Sequence, residues 1–171
     1  QSAVEKVGLF YPPDPASLHI SAIGGNVAEC AGGPRAVKDG ATKENVLGLE
    51  AVLPTGEIIE TGSKAVKNVV GYDLAHLLVG SEGTLAIITK IILRLTPKPP
   101  VQSTIRASFA TVEAAAGAVT EIIRRRVIPA ALELIDGESL EAVAQNLGTR
   151  SLAPEGTAAI LLLEADGTPA A

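Results

Sequence analysis

Ser21-Ala22-Ile23-Gly24-Gly25-Asn26-Val27-Ala28-Glu29-Cys30-Ala31-Gly32-Gly33 carries two Gly-Gly pairs eight residues apart, with small residues between them. Each glycine costs roughly 0.5–1 kcal/mol when it is ordered. Four of them in so short a stretch call for a compensating reason. The usual ones are tight turns with φ > 0, or a backbone that must lie close to something bulky such as a cofactor. About fifty residues on, a second stretch reads Gly80-Ser81-Glu82-Gly83-Thr84-Leu85-Ala86-Ile87-Ile88-Thr89. Here a Gly-Ser-Glu-Gly turn runs straight into an apolar strand. Such a turn can present backbone N–H groups to an anion. The strand behind it supplies backbone donors and acceptors at fixed spacing, which suits a planar heterocycle. Taken singly, either stretch can also be read as purely structural.

The 171 residues suffice for one full domain or two small ones, and 47% are apolar. With two Phe, two Tyr and no Trp, the core has to be built from Ala, Val, Ile and Leu. The same shortage argues against a stacking platform for single-stranded nucleic acid. A net charge of −5 without a basic stripe argues against any phosphate-backbone binder. The single cysteine excludes an intramolecular disulfide framework and suits a reducing compartment, so a cytoplasmic protein, or one peripheral at the inner membrane, is expected. The longest apolar run, Ala158 to Leu163, falls far short of the ~18–20 residues of a membrane span. There is no methionine, not even at position 1, and the chain reads as an internal piece of a longer protein.

Two parts are expected, 1–98 and 99–171. Thr96-Pro97-Lys98-Pro99-Pro100 reads as a linker, because its prolines support neither helix nor central strand. In the first part, Pro12-Pro13-Asp14-Pro15 is an extended loop. Val46–Leu53 and Glu57–Thr61 form a hairpin about the turn Pro54-Thr55-Gly56-Glu57. Gly71-Tyr72-Asp73 opens a short helix with Leu74, Leu77 and Leu78 on one face. Leu85–Leu95 is the longest strand, with Lys90 and Arg94 on one face and Thr89, Ile91, Leu93 and Leu95 on the other.

In the second part, Val101, Ser103, Ile105, Ala107 and Phe109 alternate with polar residues as in a half-buried strand. Thr111 caps an amphipathic helix through Val112, Ala115, Ala116, Val119, Ile122 and Ile123. Ala130–Ile135 is a strand. Leu140, Val143, Ala144 and Leu147 mark a helix stopped by Gly148. Thr157–Glu164 is the last strand. This β-α-β-α-β order predicts an α+β arrangement of helices on one sheet.

Common short motifs are missing. There is no dinucleotide fingerprint G-x-G-x-x-G, no P-loop, no nucleophile elbow, no C-x-x-C and no metal-ligand spacing. Individual residues have both bland and functional readings. Cys30 is a small buried residue or a reactive thiol. His76 is a surface or packing residue of the short helix, and His19 precedes the first Gly-Gly pair. Arg124-Arg125-Arg126 complements a helix C-terminus or binds an anion. Lys64 and Lys67 lie in a solvated loop or face a substrate carboxylate.

Four signatures in order, Pro13-Asp14-Pro15, Ile23 to Gly33, Gly71-Tyr72-Asp73-Leu74 and Gly80 to Leu85, resemble the FAD-linked oxidases of the vanillyl-alcohol oxidase type. The glycolate oxidase and D-lactate dehydrogenase branch looks most similar, over roughly residues 11–165. The resemblance implies an α+β fold. Residues 1–98 would be the second subdomain of a PCMH-type FAD-binding domain. Residues 99–171 would begin a ferredoxin-like FAD-linked oxidase C-terminal domain that caps the flavin. It implies FAD as cofactor, with Pro13 and Asp14 near the flavin end. Ser21, Gly24, Gly25, Asn26 and Ala28 would line the flavin and pyrophosphate, and Glu82, Gly83, Ile87 and Ile88 would hold the ADP portion through backbone contacts. The implied reaction is oxidation of a 2-hydroxy acid of the glycolate or D-lactate type, with hydride passing to FAD. The upstream Gly-rich pyrophosphate loop and the downstream His-x-His segment of the branch are not in this chain, so no catalytic or metal residue is assigned. Cys30 stands where the family often has Asn. The implied partners are the small acid, the missing parts of the polypeptide and other oxidase subunits. The alternative is a non-catalytic folded fragment or truncated relative that acts as a binding module without FAD.

Overall fold

The computed structural model describes residues 1–65 and 67–168. The end of the second expected domain, 169–171, lies outside the described residues. The chain divides into two compact units, Gln1–Lys98 and Pro99–Ala171.

The first unit contains helices α1 (Ser2–Glu5), α2 (Ile23–Glu29), α3 (Ala36–Asp39) and α4 (Leu74–Leu78), a 3-10 turn at Lys43–Asn45, and strands β1 (Leu9–Phe10), β2 (Val46–Val52), β3 (Ile58–Gly62), β4 (Ile87–Leu93) and β5 (Thr96–Pro97). The main sheet is antiparallel in the order β3-β2-β4. Its rows follow from the two-residue pleat. Ile59, Ala51 and Ile88 form one row across the three strands, and Thr61, Leu49 and Ile91 the next. These rows face a core completed by Val27 of α2, Leu78 of α4, Val79 and Ala86. The opposite face carries the rows Ile58–Val52–Ile87 and Glu60–Glu50–Lys90. The Lys90 ammonium, 2.5 Å from Glu50 Oε2, holds the Glu50 carboxyl below the usual carboxylate range, with the Thr89 hydroxyl adding to the effect.

Three expectations for this unit are corrected. Strict alternation in β4 fails because Thr89 is an extra residue: Glu50 pairs with Lys90, and Ala51 with Ile88. This β-bulge puts Ile88, Ile91 and Leu93 on the core side together and leaves Thr89 to bond the Glu50 carbonyl at 3.2 Å. In α4 the covered residues are Ala75 and Leu78, while Leu74 and Leu77 are exposed. Ala75 and Leu78, three residues apart, set the covered face, and Leu77 falls on its far side. The Pro-rich 96–100 segment is not wholly a linker. Thr96–Pro97 pairs antiparallel with Leu9–Phe10, as an edge where the missing proline N–H costs nothing.

The second unit contains β6 (Val101–Phe109), α5 (Val112–Arg124), β7 (Ala131–Asp136), α6 (Gly137–Leu147) and β8 (Ala159–Gly167). Its sheet order is β6-β8-β7, with both neighbours antiparallel to β8. Hence β6 and β7 run parallel with β8 between them, a split β-α-β unit. Thr111 Oγ1 accepts from the Ala114 N–H and caps α5. The core beneath α5 is Ala115, Ala159 and Leu161, flanked by Phe109, Ala118, Val119 and Leu163. The half-buried reading of β6 is corrected. Only its Phe109 end lies under this cluster, and Val101 and Ile105 are exposed. Leu140 and Ala144 of α6 are buried, but Val143 and Leu147 are exposed.

Candidate functional site

The first Gly-Gly pair is helical, which corrects the tight-turn reading. Gly24 and Gly25 sit in the first turns of α2, and a Cβ built on either would meet nothing within 4 Å. Propensity alone would not place two glycines in a helix. Val27, 0% exposed, anchors the segment in the core and overrides it. The helix stops where Cys30 turns left-handed at φ 54, with its N–H on the Asn26 and Val27 carbonyls. Cys30 is half-buried beside Gly80, whose Cβ position would be 3.2 Å from the Cys30 Cβ.

In the second Gly pair, Gly32 has open space and Gly33 has the close approach expected of such residues, but to its own chain. A Cβ on Gly33 would collide with the Asp14 carbonyl oxygen. The Asp14 carboxylate accepts from the Arg35 N–H at 3.3 Å. Pro12 and Pro13 are buried just ahead of it. Arg35 is buried too, its guanidinium 5.1 Å from the centre of the Phe10 ring. Sequence reading missed Arg35, since nothing in Gly33-Pro34-Arg35 marks a buried cation.

The two glycine-rich stretches come together. The Gly80 N–H donates to the Val27 carbonyl at 3.0 Å, and the Glu82 N–H to the Ala28 carbonyl at 2.9 Å. Thr84 closes the turn by donating to the Ser81 carbonyl through both its N–H and its hydroxyl. These bonds correct the expectation that the turn's N–H groups face an anion, because those of Gly80 and Glu82 are spent on α2. Three residues of this turn have positive φ: Gly80 at 80°, Glu82 at 52° and Gly83 at 73°. Space around Gly83 is open.

Ile87 and Ile88 fall on opposite faces of the sheet, Ile87 62% exposed and Ile88 against the core. What they share is backbone on an edge strand: β4 pairs only with β2 among the described strands. One side of its N–H and C=O groups therefore points away from the sheet. Two hydroxyls, Ser21 Oγ just before α2 and Ser81 Oγ in the turn, are buried without a partner. Buried polar groups are normally satisfied. The first unit thus carries two orphaned hydroxyls, bare glycines and an open strand edge.

The other candidates lie elsewhere on the two units. Arg124 and Arg125 both pair with Glu121 on α5, at 3.0 and 2.8 Å. His19 is exposed in a turn. Lys64 and Lys67 are exposed. His76 pairs with Asp73, its Nδ1 2.6 Å from Oδ2, a contact legible in hindsight from an aspartate cap followed three residues later by histidine. Among the described residues no group of His, Cys, Asp and Glu could hold a metal, and no helix is long and apolar enough to cross a membrane.

The family described as FAD binding domain matches residues 1–62, and that described as FAD linked oxidases, C-terminal domain, matches residues 98–171. The chain is 50% identical over 165 residues to the glycolate oxidase protein GlcD of Bacillus subtilis (strain 168), covering 96% of this chain and 35% of that protein. It is 43% identical over 156 residues to D-lactate dehydrogenase of Archaeoglobus fulgidus, covering 91% of this chain and 35% of that protein. The chain spans about a third of the length of these curated relatives. A solved structure of alkyldihydroxyacetonephosphate synthase superposes with a TM-score of 0.79 over 97% of this chain and 32% of that one, at 24% identity, a likeness of fold.

Proposed function

We propose that this chain is a portion of an FAD-dependent oxidoreductase acting on a small 2-hydroxy acid, a reading supported by its matches to the FAD binding domain and to the C-terminal domain of FAD linked oxidases. Relatives named glycolate oxidase and D-lactate dehydrogenase support the substrate class. The chain would be a fragment of that enzyme, with 1–98 as the later half of the FAD-binding domain and 99–171 as the start of the cap.

One observation carries the cofactor reading. Gly24, Gly25 and Gly83 leave open backbone where a Cβ would meet nothing, next to the orphaned Ser21 and Ser81 hydroxyls. Ser21, Gly24, Gly25, Asn26 and Ala28 would line the flavin and pyrophosphate. Pro13 and Asp14 would back the flavin end, with Asp14 held in place by Gly33 and Arg35. Glu82, Gly83, Ile87 and Ile88 would hold the ADP portion through main-chain groups. Bound flavin would supply the two-electron acceptor for the hydride leaving the substrate α-carbon. This chain's residues would orient the ring and exclude water from one side. No acid–base residue is assigned to it.

Fluorescence quenching of FAD by the purified chain tests the reading. Saturable quenching is expected, with no turnover of glycolate or D-lactate in the presence of a dye acceptor. Quenching that persists unchanged in Gly25→Val would remove α2 from the site. Turnover by the chain alone would show that it holds the catalytic groups. No quenching at all would favour a binding module without FAD.

A further inference from the structure

A second site lies within the first unit, on residues outside the flavin set. The start of β2, the end of β3, Ser63, Ala65, Asn68, the Val70–Asp73 stretch, α4 and Arg94 line an open cleft of about 180 Å³. Its polar lining includes Thr61, Ser63, Tyr72, Asp73, His76 and Arg94.

Two of these groups lack a counterpart. His76 Nδ1 is 2.6 Å from Asp73 Oδ2. Asp73 also accepts from the His76 backbone N–H, and this bond above all holds its carboxyl below the usual range. The carboxylate is therefore the acceptor and Nδ1–H the donor. A neutral ring with its proton on Nδ1 presents a lone pair at Nε2. Nε2 is buried with no partner. The Arg94 guanidinium, lining the same cleft, has no ion pair or hydrogen bond among the described residues. The cleft thus offers one cationic fork and one oriented acceptor.

We propose that this cleft binds a small hydroxylated carboxylate, with Arg94 on the carboxylate and His76 Nε2 accepting from the hydroxyl. An Arg fork matches carboxylate geometry, and a buried acceptor demands a donor. Asp73 is a positioning residue that fixes the imidazole tautomer. The site would sense the acid apart from any redox chemistry, and it stands or falls independently of FAD binding.

The chain has two histidines, so labelling histidine with heavy nitrogen gives two readable imidazoles. Glycolate is expected to move the His76 Nε2 resonance saturably while His19 stays still. Acetate, which lacks the hydroxyl, is expected to move it less. Arg94→Gln, an exposed replacement, should weaken the response about tenfold, the loss of one charge-assisted hydrogen bond, with the His19 signal unchanged as the check on folding. No saturable movement of His76, or the same titration in Arg94→Gln, overturns the site. An equal response to acetate overturns the hydroxyl contact.

Discussion

The Asp14 carbonyl occupies the place where a side chain on Gly33 would have to go. The built Cβ of Gly33 would overlap Asp14 O and lie 2.7 Å from Asp14 Oδ1. One of these atoms is main chain and cannot swing aside. Gly33→Ala should therefore separate the Pro12–Asp14 loop from the start of α3, at a cost of about 1–3 kcal/mol by overpacking. A lower urea midpoint at unchanged slope would show it.

Gly24→Ala should have the opposite effect. The position is helical and open, so alanine should stabilise the chain by about 0.5–1 kcal/mol. The same methyl stands where the flavin is proposed to approach, so FAD quenching should weaken. A urea midpoint that rises while quenching falls is the expected pair of results. Stability and quenching moving together would put the ligand elsewhere.

Leu161 is the largest side chain of the buried cluster in the second unit, 1% exposed between Ala115 and Ala159. Its small neighbours cannot expand to fill the space. Leu161→Ala is expected to cost about 2–5 kcal/mol, read as a loss of cooperative unfolding in that unit.

Asp136 caps α6 by accepting from the Ser139 N–H at 2.7 Å, and this bond lowers its carboxyl below the usual range. A folded-state pKa below the unfolded one gives stability that is complete above the unfolded value, about 3.9. It is lost as pH falls through the lower folded value. Helix content should therefore drop at acid pH, and in Asp136→Asn that component of the pH dependence should vanish. Circular dichroism between neutral and strongly acid pH measures both.

Elements with their determinants close in sequence were legible. The β2–β3 hairpin announced itself by Pro54 and Gly56, and α5 by Thr111 and its spaced apolar residues. What escaped depended on distant partners. The β5 strand exists because Phe10 and Thr96 meet across 86 residues, which no local pattern at Thr96-Pro97 reveals. The helical state of Gly24-Gly25 is imposed by Val27 and by the turn at Gly80, against intrinsic preference. The bulge at Thr89 broke the alternation that placed Thr89 with Ile91. At the site, the two glycine stretches were legible as a pair. The use of Gly80 and Glu82 N–H groups on α2, and the His76–Asp73–Arg94 cleft, were not, because both arise from tertiary contacts.

The supernumerary residue in β4 works as a shim. Removing Thr89 would leave Ile87 and Ile88 facing as they do now, since the regular pleat resumes on both sides of it. What it would take away is the pair of Thr89 hydroxyl bonds to Glu50 and the local bend that an extra residue gives a strand. A chain lacking Thr89 should therefore keep both its core and its docked turn, seen as unchanged hydrogen-exchange protection at Gly80, Glu82 and β2. The extra residue thus shapes an edge whose register the core already holds without it.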